Sequence, residues 1–159
     1  MIFSPIAGPL PVLTQRFGAR PEYYNKYGLK GHNGSDYRAA AGTPIYASCE
    51  GYIQNIDNGK NGYGKHSIIT SLPYNTDGTC REITFAHFSR FIDRLQGKYV
   101  HQGDLIGYSG QSGDTQGPHL HLGYRKIQNG KILDVENGFH GFINIDPYIV
   151  PLILPPLFI

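Results

Sequence analysis

Glycine and proline interrupt this sequence too often for a fold built on long helices: 21 glycines and 11 prolines fall among 159 residues. Such punctuation suits many short strands joined by turns. The apolar runs between the breaks agree. Residues 44–56 (PIYASCEGYIQNI) read as a strand pair around Glu50 and Gly51. Residues 65–72 (KHSIITSL) are rich in the β-branched types that favour strands. Residues 75–79 (NTDGT) hold the Asp-Gly signal of a hairpin turn, and 81–89 (REITFAHFS) alternate as the strand returning from it. Residues 104–110 (DLIGYSG) and 119–125 (HLHLGYR) make two more strands, the latter opened by Pro118, which cannot donate to a ladder. The one helical candidate is 90–95. The expectation is an all-β chain: a single domain over 1–159, with a central antiparallel β-sheet, little helix, and long loops that form a substrate groove.

Composition narrows the class. Apolar residues at 40% supply a core, and charged residues at 16% are too few for an extended disordered chain. A net charge of +2 gives no footprint for nucleic acid. Cys49 and Cys80 match no zinc or redox spacing and read as two small buried hydrophobes; one disulfide would form only if their strands are neighbours. Residues 1–13 lack a basic start and are broken by Pro5, Pro9 and Pro11, so no signal peptide is visible. The apolar tail 149–159 has 11 residues and three prolines, against the ~20 a spanning helix needs. It is expected to pack on the domain, and the chain is expected to be a monomer.

Seven histidines carry the chemistry to be sorted: His32, His66, His87, His101, His119, His121 and His140. In a strand, positions i and i+2 share a face, so His119 and His121 project together while Leu120 and Leu122 enter the opposite, apolar layer. His32 and Asp36 stand four residues apart in a glycine-containing segment. Two imidazoles and a carboxylate are a set that binds catalytic zinc, with a fourth place left for water. His87 ends an alternation with Ile83 and Phe85 and so reads either as the edge of an apolar face or as the rim of a metal site. His66 reads as solvent-facing, His101 as part of a turn, and His140 as part of a glycine-flanked loop.

Four stretches together resemble the lysostaphin/LytM-type zinc endopeptidases of peptidoglycan. They are 28–53 (GLKGHNGSDYRAAAGTPIYASCEGYI), 61–70 (NGYGKHSIIT), 83–89 (ITFAHFS) and 100–124, which contains Gly-Pro-His-Leu-His. Their order and separations are similar to the family's, and the resemblance covers roughly Phe3 to Tyr148. It implies that His32, Asp36 and His121 bind one zinc ion, that His119 and His87 are catalytic, and that a zinc-activated water attacks a stem-peptide cross-link or an interpeptide bridge. It implies action at the cell wall; with no signal peptide visible, the expected setting is a phage lysin or virion-associated hydrolase, or a piece of a longer exported protein. Ser35 departs from the pattern, which has an apolar residue before the aspartate. Tyr23, Tyr24 and Tyr27, just ahead of His32, are candidates either for holding an oxyanion or for lining the groove. A non-catalytic wall-binding member of the fold would lack part of this ligand set, and all of it is present. A lipoyl-type carrier is suggested by 99–107 (YVHQGDLIG), yet no lysine sits on a suitable hairpin turn.

Overall fold

The computed structural model describes residues 1–155. Its strands, in chain order, are β1 (Ile2–Ala7), β2 (Leu13–Gln15), β3 (Ser35–Tyr37), β4 (Pro44–Tyr46), β5 (Gly51–Asp57), β6 (Lys65–Thr70) and β7 (Thr79–Ala86). There follow β8 (Phe88–Phe91), β9 (Tyr99–Val100), β10 (Leu105–Ser109), β11 (Leu120–Gln128), β12 (Lys131–Ile132), β13 (Phe142–Ile143) and β14 (Ile149–Leu152). A single four-residue α-helix, α1 (Pro21–Tyr24), starts at a proline whose missing N–H costs nothing there. Among the described residues no helix is long and apolar enough to cross a membrane.

The central sheet has nine strands and is antiparallel throughout. Its order is β2-β3-β11-β7-β6-β5-β9, with β12 and β13 also paired to β11. Period-2 alternation sorts its two faces. On the inner face Ile53, Ile69, Ile83 and Tyr124 lie in register across four strands, with Leu122 opposite Phe85 and Leu120 opposite Tyr37. A three-stranded sheet, β4-β10-β8, closes over this face and contributes Ile45, Ile106 and Phe88 to the same core. On the outer face Gln15, Asp36, His121 and Ala86 occupy adjacent register positions. The site is built there.

The structure corrects several sequence expectations. Residues 44–56 do not form a strand pair: β4 joins the small sheet and β5 the large one, because Ala47 and Cys49 are both drawn into the core between them. The strand over 81–89 is broken at His87, whose φ of 65° turns the chain from the large sheet into the small one. Residues 90–95 are the end of β8 followed by a single 3-10 turn, Asp93–Leu95, since Phe91 pairs with Gly107 of β10. His66 is buried, with its Nδ1 2.9 Å from the Gly64 carbonyl. Its ring packs against Tyr63, which no local pattern reports. Both cysteines are free; Cys49 is buried, but Cys80 is half-exposed. The tail forms β14, which pairs in parallel with β1 and buries Leu152; residues 156–159 lie outside the described residues.

Candidate active site

Asp36 and His121 face one another across the β3–β11 ladder, and His32 reaches them from the loop before β3. Three of their atoms form a tight triangle. His32 Nε2 is 2.9 Å from His121 Nδ1 and 3.1 Å from Asp36 Oδ1, and His121 Nδ1 is 3.0 Å from the same oxygen. All three residues are buried. The Nδ1–H of His32 donates to the Arg16 carbonyl at 3.1 Å, which leaves Nε2 as a bare lone pair. That lone pair faces a carboxylate oxygen. A proton on His121 Nδ1 cannot serve both acceptors well, whereas a cation among the three serves all. The triangle also fits in size: four ligands about 2.0 Å from a tetrahedral zinc stand about 3.3 Å apart. These residues form the one candidate metal-holding group found among the described residues.

The electrostatics agree. Burial opposes ionisation of Asp36, but its contact with the His121 imidazole, above all, outweighs it and holds its carboxyl well below the usual carboxylate range. Burial pushes His121 down and keeps it neutral, as a ligand must be. Gly34 makes room for the His121 ring: a Cβ there would stand 2.6 Å from Cε1 and 2.7 Å from Nε2.

Two more imidazoles flank the triangle. His119 Nδ1 is 2.9 Å from the Gly117 carbonyl and 3.2 Å from Thr115 Oγ1, so its Nε2 faces inward, 3.5 Å from Asp36 Oδ2. His87 Nδ1 is 2.7 Å from the Ser112 carbonyl, and its ring lies 4.7 Å from that of His119, centre to centre. Simple alternation would send His87 into the core beside Phe85. The left-handed kink at His87 instead swings it onto the outer face, at a cost of about 1–2 kcal/mol for a non-glycine residue. Burial, and then the neighbouring His121, push His87 down to about 3.

These side chains line a groove of about 760 Å³. Its walls are the 16–31 segment that leads to His32 and the 111–118 loop that leads to His119. Tyr23, Tyr24 and Tyr27 all reach it, and so does His140 from its glycine-flanked loop. Several residues that hold the site carry no sequence signal. Gln15 Nε2 donates to Tyr24 Oη at 2.6 Å and to Asp36 Oδ2 at 3.3 Å. Ser112 accepts from Lys65 N and donates to the Phe88 carbonyl, fixing the carbonyl that orients His87. Asn33 donates to Tyr63 Oη, and burial pushes the Tyr63 phenol up to about 12.

Residues 30–135, which contain the four site histidines and Asp36, match the family model described as Peptidase family M23. The chain belongs to peptidase family M23. Over 100 residues the M23 chain is 40% identical to the DD-carboxypeptidase/endopeptidase Mpg of Neisseria meningitidis serogroup B, covering 63% of this chain and 21% of that protein. Over 91 residues it is 34% identical to lysostaphin of Staphylococcus simulans, covering 57% and 17%. The chain thus spans about a fifth of the length of the curated relatives it matches. Its structure is similar to a mutant catalytic domain of the prophage-encoded M23 protein EnpA from Enterococcus faecalis, with a TM-score of 0.61 and 31% identity over 84% of this chain and 95% of that one. It is also similar to the catalytic domain of lysostaphin from Staphylococcus simulans, with a TM-score of 0.59 and 25% identity over 81% and 92%.

Proposed function

We propose that this M23 chain is a single zinc endopeptidase domain that hydrolyses peptide bonds of bacterial peptidoglycan, either stem-peptide cross-links or interpeptide bridges. The observation that carries the reading is the 2.9–3.1 Å triangle of His32 Nε2, His121 Nδ1 and Asp36 Oδ1 beside two further imidazoles. Relatives named as peptidoglycan DD-endopeptidases and lysostaphin support the substrate class. The likeness to a prophage-encoded domain, covered nearly end to end, supports phage delivery to the wall.

His32, Asp36 and His121 would hold the metal, and the single carboxylate leaves the centre with net charge +1. When bound, zinc supplies a Lewis acid and brings the pKa of water toward ~7. The remaining work belongs to side chains. His119 has Nδ1 committed to a backbone carbonyl and Nε2 free toward the groove, so it can accept a proton from water there and return it to the leaving amine. His87, held neutral by burial and with Nδ1 donating to the Ser112 carbonyl, keeps its Nε2 as an acceptor and can take a hydrogen bond from the water or from the leaving amine. Tyr24 is the phenol best placed to donate to an oxyanion: its oxygen accepts from Gln15, which leaves its own proton free. Burial, and then the charge of Asp36, push its pKa up to about 12, so that proton stays in place at neutral pH.

The test is digestion of purified peptidoglycan of several chemotypes by protein of measured metal content, with mass spectrometry of the fragments. New amino termini at cross-links or bridges are expected. Their absence from every chemotype would sink the enzyme reading.

A further inference from the structure

One carboxylate ties the two walls of the groove together. Asp114, on the loop leading to His119, accepts hydrogen bonds from Tyr23 Oη at 3.1 Å, from Lys26 Nζ at 2.8 Å and from Tyr27 Oη. All three donors lie on the opposite wall, 87 to 91 residues away in sequence. The donor wall is itself knitted. Lys26 Nζ lies 4.2 Å from the centre of the Tyr23 ring and 4.9 Å from that of Tyr27, and the Arg20 guanidinium covers Tyr23 at 4.7 Å. His140 adds a contact from Nε2 to the Tyr27 carbonyl at 3.3 Å. The hydrogen bond from Lys26, and then that from Tyr27, hold Asp114 down to about 2, so the clasp is charged at any pH where a wall hydrolase works.

We propose that Asp114 is a specificity-determining residue. Its clasp on Tyr23, Lys26 and Tyr27 must release before a peptide borne on polymer at both sides can lie between the walls, whereas a short free-ended peptide enters without release. The inference rests on the peptidoglycan reading above. A peptide joined to glycan at each end has no terminus to thread past a tie, so it must enter sideways. The tie is suited to opening. Lys26 and Asp114 keep 50% and 35% of their side-chain surface in solvent, so their pairing is screened and weak. None of its members is among the buried residues that hold the fold.

The experiment compares wild type, Asp114→Ala and Asp114→Asn, the last keeping an acceptor for the tyrosines while losing the ion pair. Three quantities are read: amide hydrogen exchange in residues 20–29, the fraction bound to cross-linked sacculi at fixed protein concentration, and the ratio of cleavage rates on sacculi and on a short linear peptide. Asp114→Ala is expected to exchange faster in 20–29, and to raise both the bound fraction and the rate ratio severalfold, with Asp114→Asn between. Unchanged exchange would show that the clasp does not hold the segment, and equal gains on both substrates that it does not select between them. Either result overturns the proposal, as does an unchanged bound fraction. If wild type cut neither substrate, the hydrolase reading would fail on its own, and the bound fraction would still decide the role of Asp114.

Discussion

His32 Nε2 stands 3.1 Å from Asp36 Oδ1, two acceptors face to face in a buried site. Such a pair repels until a cation joins it. Zinc is therefore expected to stabilise the fold: at 100 times its Kd a ligand contributes about 2.7 kcal/mol, roughly 5–10 °C of Tm for a chain of this size. Thermal melts with chelator and with zinc measure this. Asp36→Ala and His121→Ala should lose both metal and turnover. His119→Ala should keep one metal per chain and lose about 10²–10⁴-fold in kcat. Full metal occupancy in His121→Ala would overturn the ligand assignment.

Gly34 is needed for space, not for a special backbone angle. A methyl group there would meet the His121 ring at 2.6–2.7 Å. Gly34→Ala should push the ring off the triangle and weaken zinc binding at least about tenfold, the scale of lost ligand support. Competition against a chromophoric chelator reads the constant directly. Native affinity in Gly34→Ala would mean that the ring has another place to go.

Ser35 is the residue that departs from the family pattern, and the structure shows why that matters. Its side chain lies wholly inside the core face of β3, and Oγ makes no hydrogen bond of good geometry among the described residues. A buried unsatisfied hydroxyl costs about 1–3 kcal/mol. Ser35→Ala should therefore raise unfolding free energy by about 1 kcal/mol in urea titrations, with unchanged metal content.

The pairing of His119 with His121, and the four-residue step from His32 to Asp36, were legible because strand periodicity and short loops translate directly into position. Leu120 and Leu122 do enter the core while the two imidazoles face the groove. His87 was ambiguous for a physical reason: alternation alone sends it inward, and only the φ of 65° brings it to the site. Gln15, Ser112 and Asp114 were invisible because each acts through contacts that join distant segments, and such contacts leave no period in the sequence. The split of 44–56 between two sheets failed for the same reason, since strand partners are chosen by the core and not by the nearest turn.

His66 sits where the sequence suggests exposure but is buried, which gives stability a pH dependence. Burial lowers its pKa in the folded state. The unfolded chain takes up a proton as pH falls through ~6.5, while the folded chain resists it. Stability is therefore lost as pH drops below ~6.5, down to the folded pKa, by at most ~1.4 kcal/mol at pH 5.5. Replacing the residue by asparagine, His66→Asn, puts an amide N–H at the Nδ1 position for the Gly64 carbonyl and removes the titration. Urea unfolding at pH 7.5 and 5.5 should show a smaller difference in the variant than in wild type. An equal difference would place the acid sensitivity elsewhere.

Three tyrosines of the segment ahead of His32 reach the groove, and their hydrogen bonds separate their roles. Tyr23 and Tyr27 donate their protons to Asp114, so neither has one left for substrate. Tyr24 accepts from Gln15 instead, and its proton finds no acceptor among the described residues. Its ring lies 5.1 Å from that of His32, beside the metal triangle. Loss of one oxyanion donor costs about 10²–10³ in kcat. Tyr24→Phe should show a fall of that order with KM nearly unchanged, because the interaction forms only as charge develops on the oxygen. Tyr23→Phe and Tyr27→Phe should leave kcat on a short peptide within about threefold of wild type, as loss of a contact outside the transition state would. Steady-state kinetics of the three variants on one soluble peptide decide the matter. A fall in kcat for Tyr23→Phe equal to that for Tyr24→Phe would remove Tyr24 from the chemistry.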